Sequence, residues 1–176
     1  PQPVIGVRRS PELLARWSEL SAWGLILRTH EGNRPAESTQ VYDTADTATA
    51  FAIQARVFAA LADYRTKTVA HALRTGFPVL RHSFLTGQPT SDDQFFFGSA
   101  FLVAPVLTFG ARTVRALLPA GVWTHLWSGS TFGDPRFPTE VTVPAPLGEP
   151  GVFHRADDTE AARLAAEVRA AVGGGG

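Results

Sequence analysis

Apolar residues recur at helical spacing over residues 10–23, where Leu13, Leu14, Trp17, Leu20 and Trp23 make one apolar face. Ser10 is a good N-cap, Pro11 fits the first helical position, and Glu12 suits the positive end of the helix dipole. Gly24 ends the pattern. Leu25-Ile26-Leu27 then runs without alternation into Arg28, Thr29 and His30, which predicts a short strand over 25–30 buried on both faces. Residues 31–46 form a polar loop rich in turn formers. A long helix is predicted over 47–74. Its stripe is Phe51, Ala55, Phe58, Leu61, Ala62, Val69 and Leu73, and Gly76 is a fitting C-terminal stop.

The texture changes at Phe77. Short β-branched and aromatic runs predict strands at 78–85, 94–97, 101–107, 112–118, 122–127, 139–143 and 151–155. Turn signals at Gly110, Pro119-Ala120-Gly121 and Ser128-Gly129 separate them, and the spacing suggests a small antiparallel sandwich. A last helix over 158–172 carries Ala, Leu and Val on one side, and no internal repeat is present. The order is helix, buried strand, long helix, β module. One strand between two helices cannot close a sheet, so its neighbours must come from elsewhere. The expectation is the end of an α/β barrel or sheet over 1–76, an appended β domain over 77–157, and a terminal helix with a Gly tail over 158–176.

Composition narrows the classes. The 176 residues are 44% hydrophobic, enough for an ordinary core. Sixteen basic and 16 acidic residues balance, so no basic field invites nucleic acid. Without Cys there is neither a disulfide framework nor a thiolate nucleophile. No apolar run reaches the roughly 18 residues of a membrane span, and the start lacks the order of a secretory signal. The expected location is the cytoplasm, with no membrane or nucleic-acid partner. The absence of an initial Met suggests that the chain begins inside a longer protein.

The chemistry concentrates in Leu27–Pro35. On a strand Arg28 and His30 share one face and Thr29 points away. At the C-terminal end of a barrel strand, that face looks into the active-site mouth. His30 can hydrogen-bond a sugar hydroxyl and Arg28 can orient a carboxylate through its fork. The competing reading is that both merely satisfy buried backbone and loop acids. Glu31 and Asn33 lie in the following loop; a lone acid is weak support for acid–base work, because glycosidic cleavage uses two carboxyls. Arg34 and Glu37 read as an ion pair closing that loop. Asp92 and Asp93 read as solvated acids before a core strand. Trp123, His125 and Trp127 share strand parity, so the two indoles either stack on sugar or fill a core; core is the favoured reading. His71, His82, His125 and His154 lack metal-ligand spacing, and GxSxG, GxGxxG and GxxxxGKS motifs are absent.

The series "ELLARWSELSAW…LRTHEGNRP…GFPVLRHSFL…QFFFGSAFLVAPVL…RTVRALLPAGVWTHLWSG…VTVPAPLGEPGVFHRA" resembles the C-terminal part of glycoside hydrolase family 31, the retaining α-glycosidases, over residues 8–157. "RTHEGNRP" and "GVFHRAD" look most like its sulfoquinovosidase branch, which cleaves α-linked 6-deoxy-6-sulfo-glucosides. The resemblance implies a (β/α)8 TIM barrel whose last strand is 25–30, followed by a proximal β-sandwich. It implies that His30 binds hydroxyls of the cleaved sugar and that Arg28 supports the same subsite. It also implies that the nucleophile and the acid/base, both aspartates, lie upstream of Pro1. The chain then carries no catalytic residue, is inactive alone, and needs no metal or organic cofactor. Two positions depart from the family pattern: Asp63 precedes Tyr64, and His82 follows Arg81, where Pro is usual. The alternative is a non-catalytic carbohydrate-binding or structural module built on Trp123 and Trp127.

Overall fold

The computed structural model describes residues 8–31, 34–87 and 91–174. Helix α1 spans Pro11–Ala22; the Ser10 hydroxyl accepts from the Leu13 amide at 3.1 Å, so the predicted cap forms. The buried side of α1 follows the prediction only in part: Leu14 and Trp23 are buried as expected, but the rest of the inward face is different. Leu14, Ala15, Arg16, Ser18, Glu19 and Ala22 are buried, whereas Trp17 is 60% exposed. Leu13, Trp17 and Leu20 instead face an open groove with Pro105, Val106, Leu107 and Phe109. The inward turn of α1 is held by polar chemistry that a hydrophobicity pattern does not weigh. The Arg16 guanidinium meets Glu19 at 2.9 Å and donates to the carbonyls of Ala145, Ala111 and Pro146 at 2.8, 2.9 and 3.1 Å. Glu19 in turn accepts from the Gly148 amide at 2.6 Å.

The predicted long helix is two: α2 over Ala45–Ala60 and α3 over Ala62–Thr75. A capping box between Thr44 and Thr47 starts α2, and Gly76 ends α3 in the left-handed conformation. The break falls at Leu61, which is fully buried. Arg65 enters the gap and donates to the Phe58 carbonyl at 3.0 Å, to Gly24 at 2.9 Å and to Ala22 at 3.3 Å. One guanidinium therefore supports the α2–α3 joint and the C-terminal end of α1, the kind of side-chain insertion that bends helices. The buried stripe runs through Gln54, Val57, Leu61, Arg65 and Thr68, and Leu73 is exposed.

Eight short strands follow: β1 Leu80–Arg81, β2 Phe95–Phe97, β3 Phe101–Ala104, β4 Thr113–Leu118, β5 Trp123–His125, β6 Thr131–Phe132, β7 Thr139–Pro144 and β8 Gly151–Arg155. All but β6 coincide with predicted strands. Six form one antiparallel sheet in the order β1-β2-β3-β8-β5-β6, and β4 pairs with β7 as a separate ribbon. The sandwich expectation is thus met in unequal form. Phe96, Leu102, Phe153 and His125 stand in register across four strands and face the ribbon. There they meet Ala116, Leu118, Trp123 and Val143. Val103 and Val152 pair on the opposite face with Phe97 and Phe101. That face packs on Trp23, Val57, Leu61 and helix α4, Thr159–Gly173. Gln94 links sheet and ribbon: its amide group accepts from and donates to the Leu117 backbone, each at 2.8 Å.

The expected barrel strand is not formed. Residues 26–30 have no strand assignment, and Leu25 and Ile26 are 43% and 69% exposed. The reason is the one the pattern implies: a parallel strand takes its ladder bonds from neighbours on both sides, and among the described residues none pairs with this segment.

Candidate functional site

Arg28 and His30 lie in the exposed extended segment that leaves α1. Without a strand the shared-face geometry is not present here. What the structure does show is how the segment is anchored. Arg9, next to the cap of α1, donates to the His30 carbonyl at 2.6 Å, to the Thr39 carbonyl at 2.7 Å and to the Gln40 side-chain oxygen at 2.7 Å. Its own carbonyl accepts from the Thr39 amide at 2.8 Å. Gln40 is buried and donates toward the carbonyls of Ser38, Pro35 and Glu31 at 3.0, 3.2 and 3.4 Å. Its amide is held by Asp43 at 2.7 Å. Two polar side chains thus tie both ends of the loop after His30. Neither belongs to an apolar stripe, and no periodicity points to them; the only signal was a polar-rich loop with few apolar residues to pin it.

Within that loop Glu31 accepts from the Tyr42 hydroxyl at 3.1 Å, a bond that holds the Tyr42 phenol above its ordinary pKa. Glu37 pairs with Arg8 at 3.1 Å and Arg34 at 3.6 Å, so Arg34 closes the loop as an ion pair. Asn33 lies outside the described residues. Asp92 is solvated and meets His82 at 3.3 Å.

The two tryptophans are separated. Trp123 is buried between sheet and ribbon and donates to the Pro119 carbonyl at 2.9 Å. Trp127 sits in the turn after β5, packs toward the helical face and donates to the Pro150 carbonyl at 2.6 Å. They form no common platform; His125, on the face of Trp123, is buried as well. No cluster of metal-ligating side chains occurs among the described residues, and no described helix is long and apolar enough to cross a membrane.

These features define a class: a helix-backed antiparallel β module that carries an exposed polar strap. Residues 67–158 match the glycosyl hydrolase family 31 C-terminal domain, and the chain belongs to that family. It is 39% identical to a sulfoquinovosidase of Agrobacterium fabrum over 89% of this chain and 24% of that protein. It is 40% identical to the Escherichia coli sulfoquinovosidase over 90% of this chain and 24% of that one. A solved family 31 sulfoquinovosidase from E. rectale, in complex with an aza-sugar inhibitor, superposes with a TM-score of 0.82 at 31% identity. That match covers 94% of this chain and 25% of the solved one. The chain therefore spans about a quarter of the length of these relatives.

Proposed function

We propose that this chain is the C-terminal portion of a retaining α-glycosidase that hydrolyses α-sulfoquinovosides. The observation that carries this reading is the identity of 39% and 40% to two sulfoquinovosidases over nine-tenths of the chain. In this reading residues 1–76 complete a (β/α)8 barrel and 77–157 form the proximal β domain. The segment 25–30 becomes the last barrel stave once neighbouring strands flank it, and His30 and Arg28 then line the sugar subsite. Two features support it: Leu25 and Ile26 are exposed without a ladder, and the apolar face of α1 is open. Both are surfaces for the rest of a barrel to cover.

In the assembled enzyme one aspartate attacks the anomeric carbon. A second protonates the leaving oxygen and then activates water. Both come from barrel strands that this chain does not contain. His30 binds sugar hydroxyls and Arg28 supports the same subsite, while Arg9 and Gln40 fix the backbone that follows. The chain works on a carbohydrate, in the cytoplasm, without a cofactor.

The test has two arms. The 176-residue chain alone is expected to show no turnover of an aryl α-sulfoquinovoside. A chimera in which this chain replaces the matching quarter of the Agrobacterium fabrum enzyme is expected to turn it over. Turnover by the chain alone, or a folded chimera active only on α-glucosides, overturns the reading.

A further inference from the structure

Arg81 presents an unsolved charge. It ends the edge strand β1, opposite Phe96, and is only 8% exposed. Of the five N–H donors of a guanidinium, only Nε–H is used, donating to the Pro78 carbonyl at 2.8 Å. Among the described residues the terminal nitrogens make no hydrogen bond and no carboxylate lies within ion-pair distance. The Phe77 ring, 4.7 Å from the guanidinium carbon, covers one side. Burial lowers the Arg81 pKa, and the Tyr64 phenol pulls the other way. A cation this enclosed is stabilised by an anionic partner, because burial removes most of its hydration.

A cavity of about 210 Å³ adjoins this guanidinium. Its polar wall is Arg81, Ser99, Thr86 and Arg155, and Phe96 and Trp123 line its apolar side. Arg155 is already neutralised by Asp157, at 3.0 and 3.3 Å. Among the described residues, the charge facing this cavity without a carboxylate partner is that of Arg81. A forked donor with one net positive charge, beside a hydroxyl and an aromatic wall, matches a carboxylate attached to an apolar body.

We propose that the cavity between Arg81, Ser99 and Arg155, whose lining includes no residue of the Arg28–His30 strap, is a carboxylate-binding site. The carboxylate comes either from a free monocarboxylate or from an Asp or Glu side chain of another polypeptide segment.

The test is NMR of the 176-residue chain, following the Arg81 Nε–H and the Ser99 amide during titration with sodium benzoate and sodium acetate, against sodium chloride at equal ionic strength. Saturable shifts at both groups are expected, benzoate saturating at lower concentration than acetate. Arg81→Lys keeps a positive charge without the fork and should weaken saturation about tenfold or more. Arg155→Met and Ser99→Ala should weaken it less. Shifts that chloride reproduces, or equal saturation in the Lys variant, overturn the proposal. The Agrobacterium fabrum chimera separates the sources. If a side chain fills the site there, the Arg81 Nε–H resonates at its carboxylate-bound position without additive and acetate no longer moves it. If the ligand is free, the chimera titrates like the chain alone.

Discussion

Removing Arg16 should be the most damaging single change in the helical half of the molecule. Its guanidinium is nearly inaccessible, with side-chain exposure of 7%, and that of Glu19 is 2%. Arg16→Met leaves Glu19 as a buried carboxylate with only the Gly148 amide, strips the Ala145 carbonyl of its donor, and takes one donor each from the carbonyls of Ala111 and Pro146. Breaking a buried pair by deleting one partner costs about 3–5 kcal/mol. Glu19→Gln keeps an acceptor for Gly148 and leaves Arg16 its three carbonyls, so a lost charge-assisted bond of roughly 1.5–3 kcal/mol is the ceiling. The double variant Arg16→Met, Glu19→Leu removes both charges and should recover much of the loss. The pH dependence has a definite sign. Burial is the largest influence on Glu19 and raises its pKa, so the native state holds that proton more tightly than the unfolded chain. The associated stability is full below the ordinary carboxylate pKa and is lost as pH rises through the raised value. Taking away Arg16 removes the cation that favours ionisation, so the Arg16→Met penalty should shrink at acid pH. Urea unfolding at several pH values measures all of this from midpoint shifts at constant m-value. An Arg16→Met loss under about 1 kcal/mol, below the range for a broken buried pair, would refute the reasoning, as would a penalty that grows toward acid pH.

Gly98→Ala should destabilise strongly: its φ is +59° and a Cβ there would collide with the Tyr64 hydroxyl, which bridges the Phe97 carbonyl and the Ala100 amide at 3.0 Å each. Tyr64→Phe should recover part of that loss, and additive losses in a double-mutant cycle would show that the collision is not its cause. Trp123→Ala should cost about 3–5 kcal/mol of stability; a folded variant that had lost only sugar binding would favour the carbohydrate-binding alternative. His125 is buried against Phe153, with Nδ1 2.9 Å from Ser128 and Nε2 unpartnered among the described residues. Burial depresses its pKa, so its contribution is present above the unfolded pKa of about 6.5 and is lost as pH falls through the folded value. The melting temperature of His125→Asn should fall less than that of the parent between pH 7 and pH 5, and parallel curves would count against this.

What the sequence disclosed follows from which forces are local. The Ser10-Pro11 start, the Gly76 stop and seven of the strands depend on neighbours a few residues away, and these were legible. The inward face of α1 was not, because Arg16 and Glu19 are drawn in by carbonyls and an amide more than ninety residues on. The break at Leu61 was hidden for a similar reason: Arg65 takes its partners from Phe58 in α2 and from Ala22 and Gly24 at the end of α1. The strap at 25–30 is the instructive case. Its apolar run predicted a buried strand, and the structure shows instead an exposed segment with no strand pairing among the described residues. Arg28 and His30 stand out because polar residues follow an apolar run abruptly. Arg9 and Gln40, which anchor the loop beyond them, carry no such signature.

The most direct measurement is the kcat/KM of the Agrobacterium fabrum chimera on an aryl α-sulfoquinovoside, with and without His30→Ala, alongside a thermal melt of each protein. A substrate hydroxyl bond lost from a closed site predicts a fall of roughly 10- to 100-fold with an unchanged melting temperature. An unaltered kcat/KM, or a fall matched by unfolding, would contradict the assignment of this strap to the sugar site.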